Sequence, residues 1–242
     1  MALHTKQPER LHIHIIHLPN PDDIVTVNRM LGCYNIFNGI ATPPIVSLVQ
    51  FNDSLVQAPI RVVGPKEDIV RLSSPANFAR FYFDRMLPGV DKIAYIDADT
   101  IVLGDIVKLW DHTHMNGHLI AAVKDAFPME KLFFRTSFVE RLFYELYYSE
   151  FDFSTEGFNA GVYIMDLKLY RDENFIDQVH YWMRKQAEHG LWQIATQPLT
   201  ELISYHNWLM LDKSWNVVGL GNLDNAKATE QAQTDEKLVN LQ

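Results

Sequence analysis

The amino-acid sequence predicts an α/β layered fold with a largely parallel sheet, and three observations support this prediction. Short apolar runs typical of strands alternate along the chain with segments of helical pattern. Hydrophobic residues make up 48% of the 242 residues and charged residues 21%, a composition that can bury a substantial core. The length suits a single domain. Ligands of such sheets bind where strands end, so the residues that follow each strand are the candidate site.

Apolar runs in the amino-terminal half predict strands over residues 11–18, 45–51 and 92–96. A helix is expected over residues 22–34, where an acidic pair begins the segment. A second helix is expected from Pro75, since proline suits the first helical turn, to about Leu87. Pro88 and Gly89 then end it.

The carboxyl-terminal half adds two apolar runs that predict strands over residues 119–123 and 161–167. Two helices are expected to pack against the sheet, an aromatic one over residues 130–148 and an amphipathic one over residues 175–189. The flanking segments, 1–10 and 222–242, are polar and weakly patterned. The folded domain is therefore expected to span residues 11–221.

Charge and composition exclude several classes of protein. With 21 basic and 30 acidic residues the net charge is -9, which argues against a nucleic-acid binder because such binding depends on Lys and Arg meeting phosphates. The single cysteine, Cys33, allows neither an intrachain disulfide nor a cysteine-rich zinc site. No apolar run reaches the roughly 18 residues that a membrane span needs, and residues 1–10 do not form a signal peptide.

The most informative segment is the acidic pair Asp97 and Asp99, separated by Ala98, at the end of an apolar strand. In extended backbone these two carboxylates point the same way, roughly 7 Å apart. Hard oxygen ligands suit Mg²⁺ or Mn²⁺, and a cation would relieve the repulsion between the two charges. The alternative is a solvated acidic turn, but a second apolar run at residues 101–103 frames the pair closely.

Two kinds of chemistry use an Asp-x-Asp pair after a strand. In glycosyl transfer the aspartates hold a metal ion that binds the diphosphate of a nucleotide sugar. In phosphatases of the haloacid-dehalogenase type, Asp97 would be the nucleophile and Asp99 the general acid, and Thr100 completes that Asp-x-Asp-x-Thr pattern. That pattern normally follows the first strand of its domain, whereas here it follows the third predicted strand.

Several segments in a fixed order resemble glycosyltransferase family 8, which includes the galactosyltransferase LgtC, the glycogenins and the eukaryotic "glycosyltransferase 8 domain-containing" proteins. The segment Ser74–Tyr82 is similar to the helix before the family's metal motif, and Tyr95–Val102 is similar to the metal motif itself. The other similar segments are residues 104–106, 109–111, 158–162, 166–167, 197–199 and 215–217.

This resemblance implies a GT-A (Rossmann-like) fold, with a mixed, mainly parallel sheet flanked by helices. It implies a retaining transferase that moves a hexose or related sugar from a UDP-sugar donor with Mn²⁺ or Mg²⁺. The acceptor would be a carbohydrate, glycoprotein or glycolipid, and the location the Golgi or another lumen of the secretory pathway. A homodimer is left open.

The resemblance also assigns roles to individual residues. Asp97 and Asp99 would ligate the metal, and Ala98 between them would lie against the nucleotide. Arg80 would lie near the nucleotide or the sugar, and Asp125 would contact the donor sugar. The remaining implied positions are the sugar-pocket residues Asn159, Ala160 and Gly161, and Gln197 close to the anomeric carbon.

The residues alone leave alternatives open for three of these positions. Arg80 fits a surface ion pair as well as a nucleotide contact. Gly161 fits close strand packing, and Asn159 fits an ordinary turn.

The sequence departs from the family pattern in three places. The strand over residues 11–18 matches the family's second strand, so the family's first strand is missing. The motif His-x-Gly-x-x-Lys-Pro-Trp, which carries the third metal ligand, does not occur, and Thr196 stands where LgtC-type members have aspartate. We therefore expect a domain truncated at both ends, with a non-catalytic binding module as the alternative to an active transferase.

Overall fold

The structure is a computed structural model that describes residues 2, 4–19, 24–26, 28–29, 39–128, 154–193, 195–217 and 238–240. The strands are β1 (His12–His17), β2 (Ile45–Gln50), β3 (Lys92–Ile96), β4 (Thr100–Val102), β5 (Ile120–Pro128), β6 (Glu156–Asp166), β7 (Trp208–Leu211) and β8 (Leu238–Asn240). The α-helices with assigned bounds are α1 (Lys66–Leu72), α2 (Phe83–Met86), α3 (Ile106–His112), α4 (Leu167–Asp172), α5 (Phe175–His189) and α6 (Gln197–Ile203).

A four-stranded sheet in the order β3-β6-β5-β7 forms the centre of the described structure. The middle strand β6 is buried from Gly157 to Met165, and its side chains alternate between two hydrophobic clusters. Tyr163 and Met165 belong to the larger cluster, with α5 and α6, whereas Val162 and Ile164 belong to the smaller one, with α3. The sheet is therefore covered on both faces, which explains why β6 reads as an almost continuous apolar run.

Strand directions correct one part of the predicted fold. Among the described pairs, β1–β2 and β5–β7 are parallel, whereas β3–β6, β5–β6 and β4–β8 are antiparallel. The mixed α/β arrangement is confirmed, but the expectation of a mainly parallel sheet is wrong for these pairs. A strand buried on both faces has the same apolar pattern in either direction, so sequence pattern alone does not reveal the direction of β6.

The predicted helix over residues 75–87 is instead two short helices. Residues Pro75–Phe81 form a 3₁₀ helix, and Tyr82 separates it from α2. A 3₁₀ helix repeats every three residues, which aligns Phe78 and Phe81 on one buried face with their rings 6.3 Å apart. Arg80 lies off that face.

Other predicted elements agree closely with the structure. Helix α5 has the predicted bounds, and β1, β2 and β3 differ from prediction by at most one residue at either end. Helical residues 24–26 and 28–29 fall within the predicted segment 22–34. The aromatic helix over 130–148 lies outside the described residues, and so does most of the segment 222–242, within which β8 pairs with β4.

Sheet topology brings two strand ends together. Because β6 runs antiparallel to both neighbours, β3 and β5 both run toward its amino-terminal end: β3 ends where Ile96 pairs with Val162, and β5 ends where Pro128 pairs with Glu156. Residues that leave β3 and β5 there share one edge of the sheet. Within the described part of the chain, no helix is long and apolar enough to cross a membrane.

Candidate functional site

The two aspartates lie at the carboxyl end of β3. The backbone N–H of Asp97 donates to the carbonyl of Gly161 (2.8 Å), which extends the pairing with β6 by one residue. The N–H of Thr100 donates to the carbonyl of Asp97 (3.1 Å), so the chain turns at once and carries Ala98 and Asp99 into solvent. Asp97 is therefore held at the sheet edge, and Asp99 is exposed beside it.

The side chain of Asp97 has two identified donors. Oδ1 accepts a short hydrogen bond from the Tyr95 hydroxyl and a charge-assisted one from Arg80 Nη2 (3.3 Å). Tyr95 lies two residues before Asp97, so both side chains leave the same face of the extended chain. Its ring stacks on Tyr163 of β6 with centroids 4.8 Å apart. These contacts fix the orientation of the Asp97 carboxylate before any ligand is present.

Arg80 is an internal residue rather than part of a surface ion pair, since only 13% of its side chain is exposed. Its guanidinium donates to Asp97, to the Tyr95 hydroxyl (2.7 Å) and to the Ala160 carbonyl (3.2 Å), and it also lies over the Tyr95 ring. Burial lowers the pKa of Arg80, but the neighbouring Tyr95, Tyr163 and Asp97 outweigh this effect and raise it. Arg80 is thus a fixed positive charge next to Asp97.

The surroundings of Asp97 disfavour its charged form. Burial raises the pKa of Asp97, and the charge of Asp99 adds to the increase, whereas Arg80 and the Tyr95 hydroxyl only partly oppose it. The raised pKa means that the carboxylate form of Asp97 is destabilised by its surroundings. A cation shared with Asp99 would remove that cost.

The donor set fits one kind of metal site and not another. Among the described residues, no group of three or more His, Cys, Asp or Glu side chains is arranged to hold a metal ion. Two carboxylates without further protein ligands are typical of Mg²⁺-type sites, in which water and substrate phosphates complete the coordination. Asp97 and Asp99 therefore fit a cation shared with a diphosphate rather than a closed protein cage.

A bulge in β6 forms the wall next to these aspartates. In register with β5, Ala122 pairs with Tyr163 but Val123 pairs with Asn159, so the intervening β6 residues 160–162 have no partner on β5. Asn159 stabilises the bulge, because its Oδ1 accepts from the Gly161 N–H (2.8 Å) and from Asn216 Nδ2 (2.8 Å). The bulge also directs the Ala160 carbonyl to Arg80. Bulges commonly redirect groups at functional sites in this way.

Gln197 and Asp125 are in contact with each other next to Phe158, which precedes the bulge on β6. Gln197 begins α6, and its Nε2 donates to Asp125 Oδ2 (2.9 Å) and to the Phe158 carbonyl (3.2 Å). Asp125 lies within β5, which runs to Pro128, and not directly after the strand as predicted. Strand β5 continues beyond the apolar run that predicted its end. Its pairing with β6 is irregular between Lys124 and Pro128.

One further side chain belongs to this group. Glu201, one turn after Gln197 on α6, is only 2% exposed, and its Oε1 lies 3.4 Å from Gln197 Nε2. Burial raises the pKa of Glu201 to about 8, aided by the charge of Asp125 and opposed by hydrogen bonds from Gln197 and the Phe158 backbone.

The structure thus joins the predicted residues in two contacting sets, Arg80 with Asp97 and Gln197 with Asp125. The Ala160 and Phe158 carbonyls, two residues apart on β6, connect the sets. Sequence reasoning missed Tyr95 and Glu201. Period-two spacing from Asp97 is a sequence signal for Tyr95. The i, i+4 spacing that places Glu201 beside Gln197 has meaning only on a helix, and the sequence predicted no helix over Gln197–Ile203.

Comparison with known proteins identifies the family. The sequence model for "Glycosyl transferase family 8" matches residues 49–239, well over half of the chain. The chain belongs to glycosyltransferase family 8. This result confirms the resemblance drawn from the motifs and removes the support for a haloacid-dehalogenase-type phosphatase.

Curated relatives of this family 8 chain are much longer proteins. "Probable galacturonosyltransferase 9" of Arabidopsis thaliana is 33% identical over 148 residues, which cover 61% of this chain and 26% of that protein. "Glycosyltransferase 8 domain-containing protein 1" of Danio rerio is 28% identical over 195 residues, which cover 72% of this chain and 51% of that protein. The chain therefore spans less than two thirds of either relative.

Solved structures support the GT-A fold. The galactosyltransferase LgtC, determined with donor and acceptor sugar analogs, matches 95% of this family 8 chain with a TM-score of 0.60 and 16% identity, over 86% of the LgtC chain. At that identity the similarity shows the fold alone. The predicted GT-A α/β class is thereby confirmed.

Proposed function

We propose that this chain is the donor-binding core of a retaining glycosyltransferase that moves a hexose or related sugar from a UDP-sugar to an acceptor hydroxyl with the help of Mn²⁺. The acceptor in this proposal is a carbohydrate, glycoprotein or glycolipid. A location in the Golgi or another lumen of the secretory pathway, and a homodimer, remain predictions. Family membership supports sugar transfer, and the site supplies the residue-level support.

The observation that carries the proposal is the state of Asp97. Its carboxylate is oriented by Tyr95 and Arg80, yet burial and the charge of Asp99 raise its pKa. A preorganised carboxylate with an unfavourable charge, next to an exposed second carboxylate, is suited to receive a cation. The alternative, a solvated acidic turn, requires neither a buried carboxylate nor side chains that orient it.

Asp97 and Asp99 would hold the cation, and Ala98 between them is exposed at the same turn. A bound Mn²⁺ or Mg²⁺ would offset the negative charge of the departing diphosphate. Arg80 has a separate task, because its guanidinium keeps Asp97 from rotating and adds fixed positive charge at the nucleotide side of the site. A fixed charge of this kind needs no reorganisation during the reaction.

Gln197 and Asp125 would act on the sugar. Glycosyl transition states carry positive charge near the anomeric carbon, which an amide oxygen can stabilise. The amide nitrogen of Gln197 donates to Asp125 and to the Phe158 carbonyl, so in this proposal its oxygen is the end that faces the sugar. In this proposal Asp125 accepts hydrogen bonds from hydroxyl groups of the sugar. Asn159, Ala160 and Gly161 form the wall of the sugar pocket.

Calorimetric titration of UDP in the presence of Mn²⁺ tests the donor and metal assignments together. The wild-type chain should bind UDP only with the metal, and Asp97→Asn and Asp99→Asn should each weaken binding by about tenfold or more. Asp91→Asn is the matched control, because Asp91 is an exposed aspartate at the opposite end of β3. Equal UDP binding with and without Mn²⁺ would contradict the proposal.

The second candidate, a non-catalytic binding module of the same fold, is favoured by one observation. The described residues include no third protein ligand near the aspartates. Such a module would bind UDP and Mn²⁺ but release no UDP from UDP-galactose, UDP-glucose, UDP-xylose or UDP-galacturonate. Measuring that release with each donor separates the two candidates.

A further inference from the structure

Glu201 is an unusual residue for its position. It lies on α6 among buried neighbours from Pro198 to Ile203 and is itself 2% exposed. Its Oε2 is buried with no hydrogen-bond partner among the described residues. Burying a carboxyl group without full compensation costs free energy, and an apolar side chain would avoid that cost. Its presence therefore calls for a role.

The surroundings of Gln197 suggest what that role is. Three groups approach its Nε2: the Asp125 carboxyl group (2.9 Å), the Phe158 carbonyl (3.2 Å) and Glu201 Oε1 (3.4 Å). The carbonyl can only accept a hydrogen bond, and the two carboxyl oxygens act as acceptors here, so only the NH₂ end of the amide fits among them. The cage of Asp125, Phe158 and Glu201 thus fixes which end of the Gln197 amide faces inward.

The carboxyl group of Glu201 packs closely against Gly157 of β6. A Cβ added to Gly157 of β6 would lie 2.7 Å from Glu201 Oε1 and 3.2 Å from its carboxyl carbon. No side chain fits there unless Glu201 moves. The glycine therefore makes room for the carboxyl group beneath the strand that also carries the Phe158 carbonyl.

We propose that Glu201 is a positioning residue for sugar transfer: its buried carboxyl group completes the acceptor cage that turns the amide oxygen of Gln197 away from the protein and toward the reacting centre. The role of Glu201 in transfer rests on the proposed function of Gln197. Its effect on the orientation of the amide does not, so the two can be tested separately.

The protonated form of Glu201 is the one suited to this task. Burial and the charge of Asp125 favour it at neutral pH. A neutral carboxyl group still offers Oε1 as an acceptor to Gln197 and avoids placing a second negative charge beside Asp125. Glu201→Gln keeps the same acceptor and a donor in place of the acid proton, so it imitates this form at every pH. Glu201→Leu removes the acceptor but fills similar space.

Nuclear magnetic resonance of the Gln197 side-chain amide tests the positioning without any substrate. Selective ¹⁵N-glutamine labelling gives the amide signals, and Gln197→Ala identifies the one that belongs to Gln197. In the wild type this signal should shift with a midpoint near pH 8 as Glu201 ionises. The shift should vanish in Glu201→Gln, and Glu201→Leu should move the signal at every pH. An unchanged signal in Glu201→Leu, or the same titration in Glu201→Gln, overturns the proposal.

Release of UDP from UDP-galactose, UDP-glucose, UDP-xylose and UDP-galacturonate with Mn²⁺ provides the catalytic readout. Glu201→Leu should lower kcat about tenfold with KM changed less than about twofold, since a misplaced amide affects the transition state more than donor binding. Wild-type kcat should decline as Glu201 ionises near pH 8, because a second negative charge then lies beside Asp125. Glu201→Gln should keep kcat at neutral pH and show no such decline. Thr200→Val, a fully buried change on the same helix, is the control and should leave kcat unchanged.

The two readouts separate the two proposals. If the wild type releases no UDP from any donor while the Gln197 signal responds to Glu201, the proposed function fails and the positioning stands. If the wild type is active and Glu201→Leu matches it in kcat, the catalytic role of Glu201 is overturned.

Discussion

At the residue scale, the site contains two carboxyl groups, Asp97 and Glu201, whose surroundings disfavour their charged form. Burial raises the pKa of both groups, and each is hydrogen-bonded to a neighbouring side chain. Asp97 lies beside a fixed cation and a second carboxylate, a setting suited to a metal ion. Glu201 is buried beside the negative charge of Asp125, a setting suited to a neutral acid. Burial therefore gives two carboxyl groups different roles according to their partners.

Gly157 provides a residue-scale prediction. Gly157→Ala should destabilise the protein by about 1–3 kcal/mol, because the new methyl group would lie 2.7 Å from a carboxyl oxygen that cannot move into solvent. Urea unfolding measures the change. Gly89→Ala is the matched control, since a Cβ at Gly89 meets no atom within 4 Å. Adding Glu201→Ala should recover part of the loss, and equal stability of the two alanine variants would contradict this packing.

The sequence predicted some of these residues and not others for physical reasons. Asp97 follows an apolar strand directly, so its position at a strand end was visible in the pattern. Glu201 was missed because an acid within a helical segment normally marks the solvent-facing side, whereas α6 is buried around most of its circumference. Only tertiary contacts with β6 reveal that this acid faces inward.

At the element scale, the bulge in β6 connects the two halves of the site. Its residues 160–162 have no partner on β5, and Gly161 instead supplies its carbonyl to Asp97 and its N–H to the Asn159 side chain. Sequence pattern predicted a buried strand but not the bulge, because a bulge depends on the register with two neighbouring strands. The break at Tyr82 was also missed, because no glycine or proline marks it in the sequence.

Asn159 and Asn216 provide the prediction at this scale. Asn159→Ala should cost about 2–3 kcal/mol of stability, because the Gly161 N–H and the Asn216 amide both lose an acceptor inside the protein. Asn216→Ala should cost about 1–2 kcal/mol, since it removes one of these bonds. The double variant should fall short of the sum by about 1 kcal/mol, the energy of the shared bond. Strict additivity in urea unfolding would show that the side chains are not coupled.

At the scale of the whole molecule, sheet topology decides where the chemistry lies. The antiparallel β6 between β3 and β5 brings Asp97 and Asp125, 28 residues apart in sequence, to one edge of the sheet. The sequence predicted the α/β class and the strands, because hydrophobic periodicity is local. It did not predict the mixed strand directions, because these depend on how distant segments meet.

The pH dependence of global stability follows from the same topology, which buries Glu201 beneath the sheet. Its pKa is raised from 4.5 to about 8 on folding, so its contribution to stability is fully present below pH 4.5 and is lost as the pH rises to about 8. Wild type should therefore lose stability relative to Glu201→Gln by at most about 1.4 kcal/mol for each pH unit in that window. Asp97 titrates in both proteins, so the difference isolates Glu201.

Urea unfolding of the two proteins at about pH 5, 6, 7, 8 and 9 measures this difference, with circular dichroism as the signal. The gap between the variant and the wild type should widen steadily with pH and then stay constant above pH 8, where Glu201 is ionised in both states. Thr200→Val should follow the wild-type pH profile, because it removes no titrating group from the same helix. A gap that stays constant from pH 5 to pH 8 would mean that Glu201 ionises alike in the folded and unfolded chain. The assignment of Glu201 as a neutral acid in the folded protein would then be wrong.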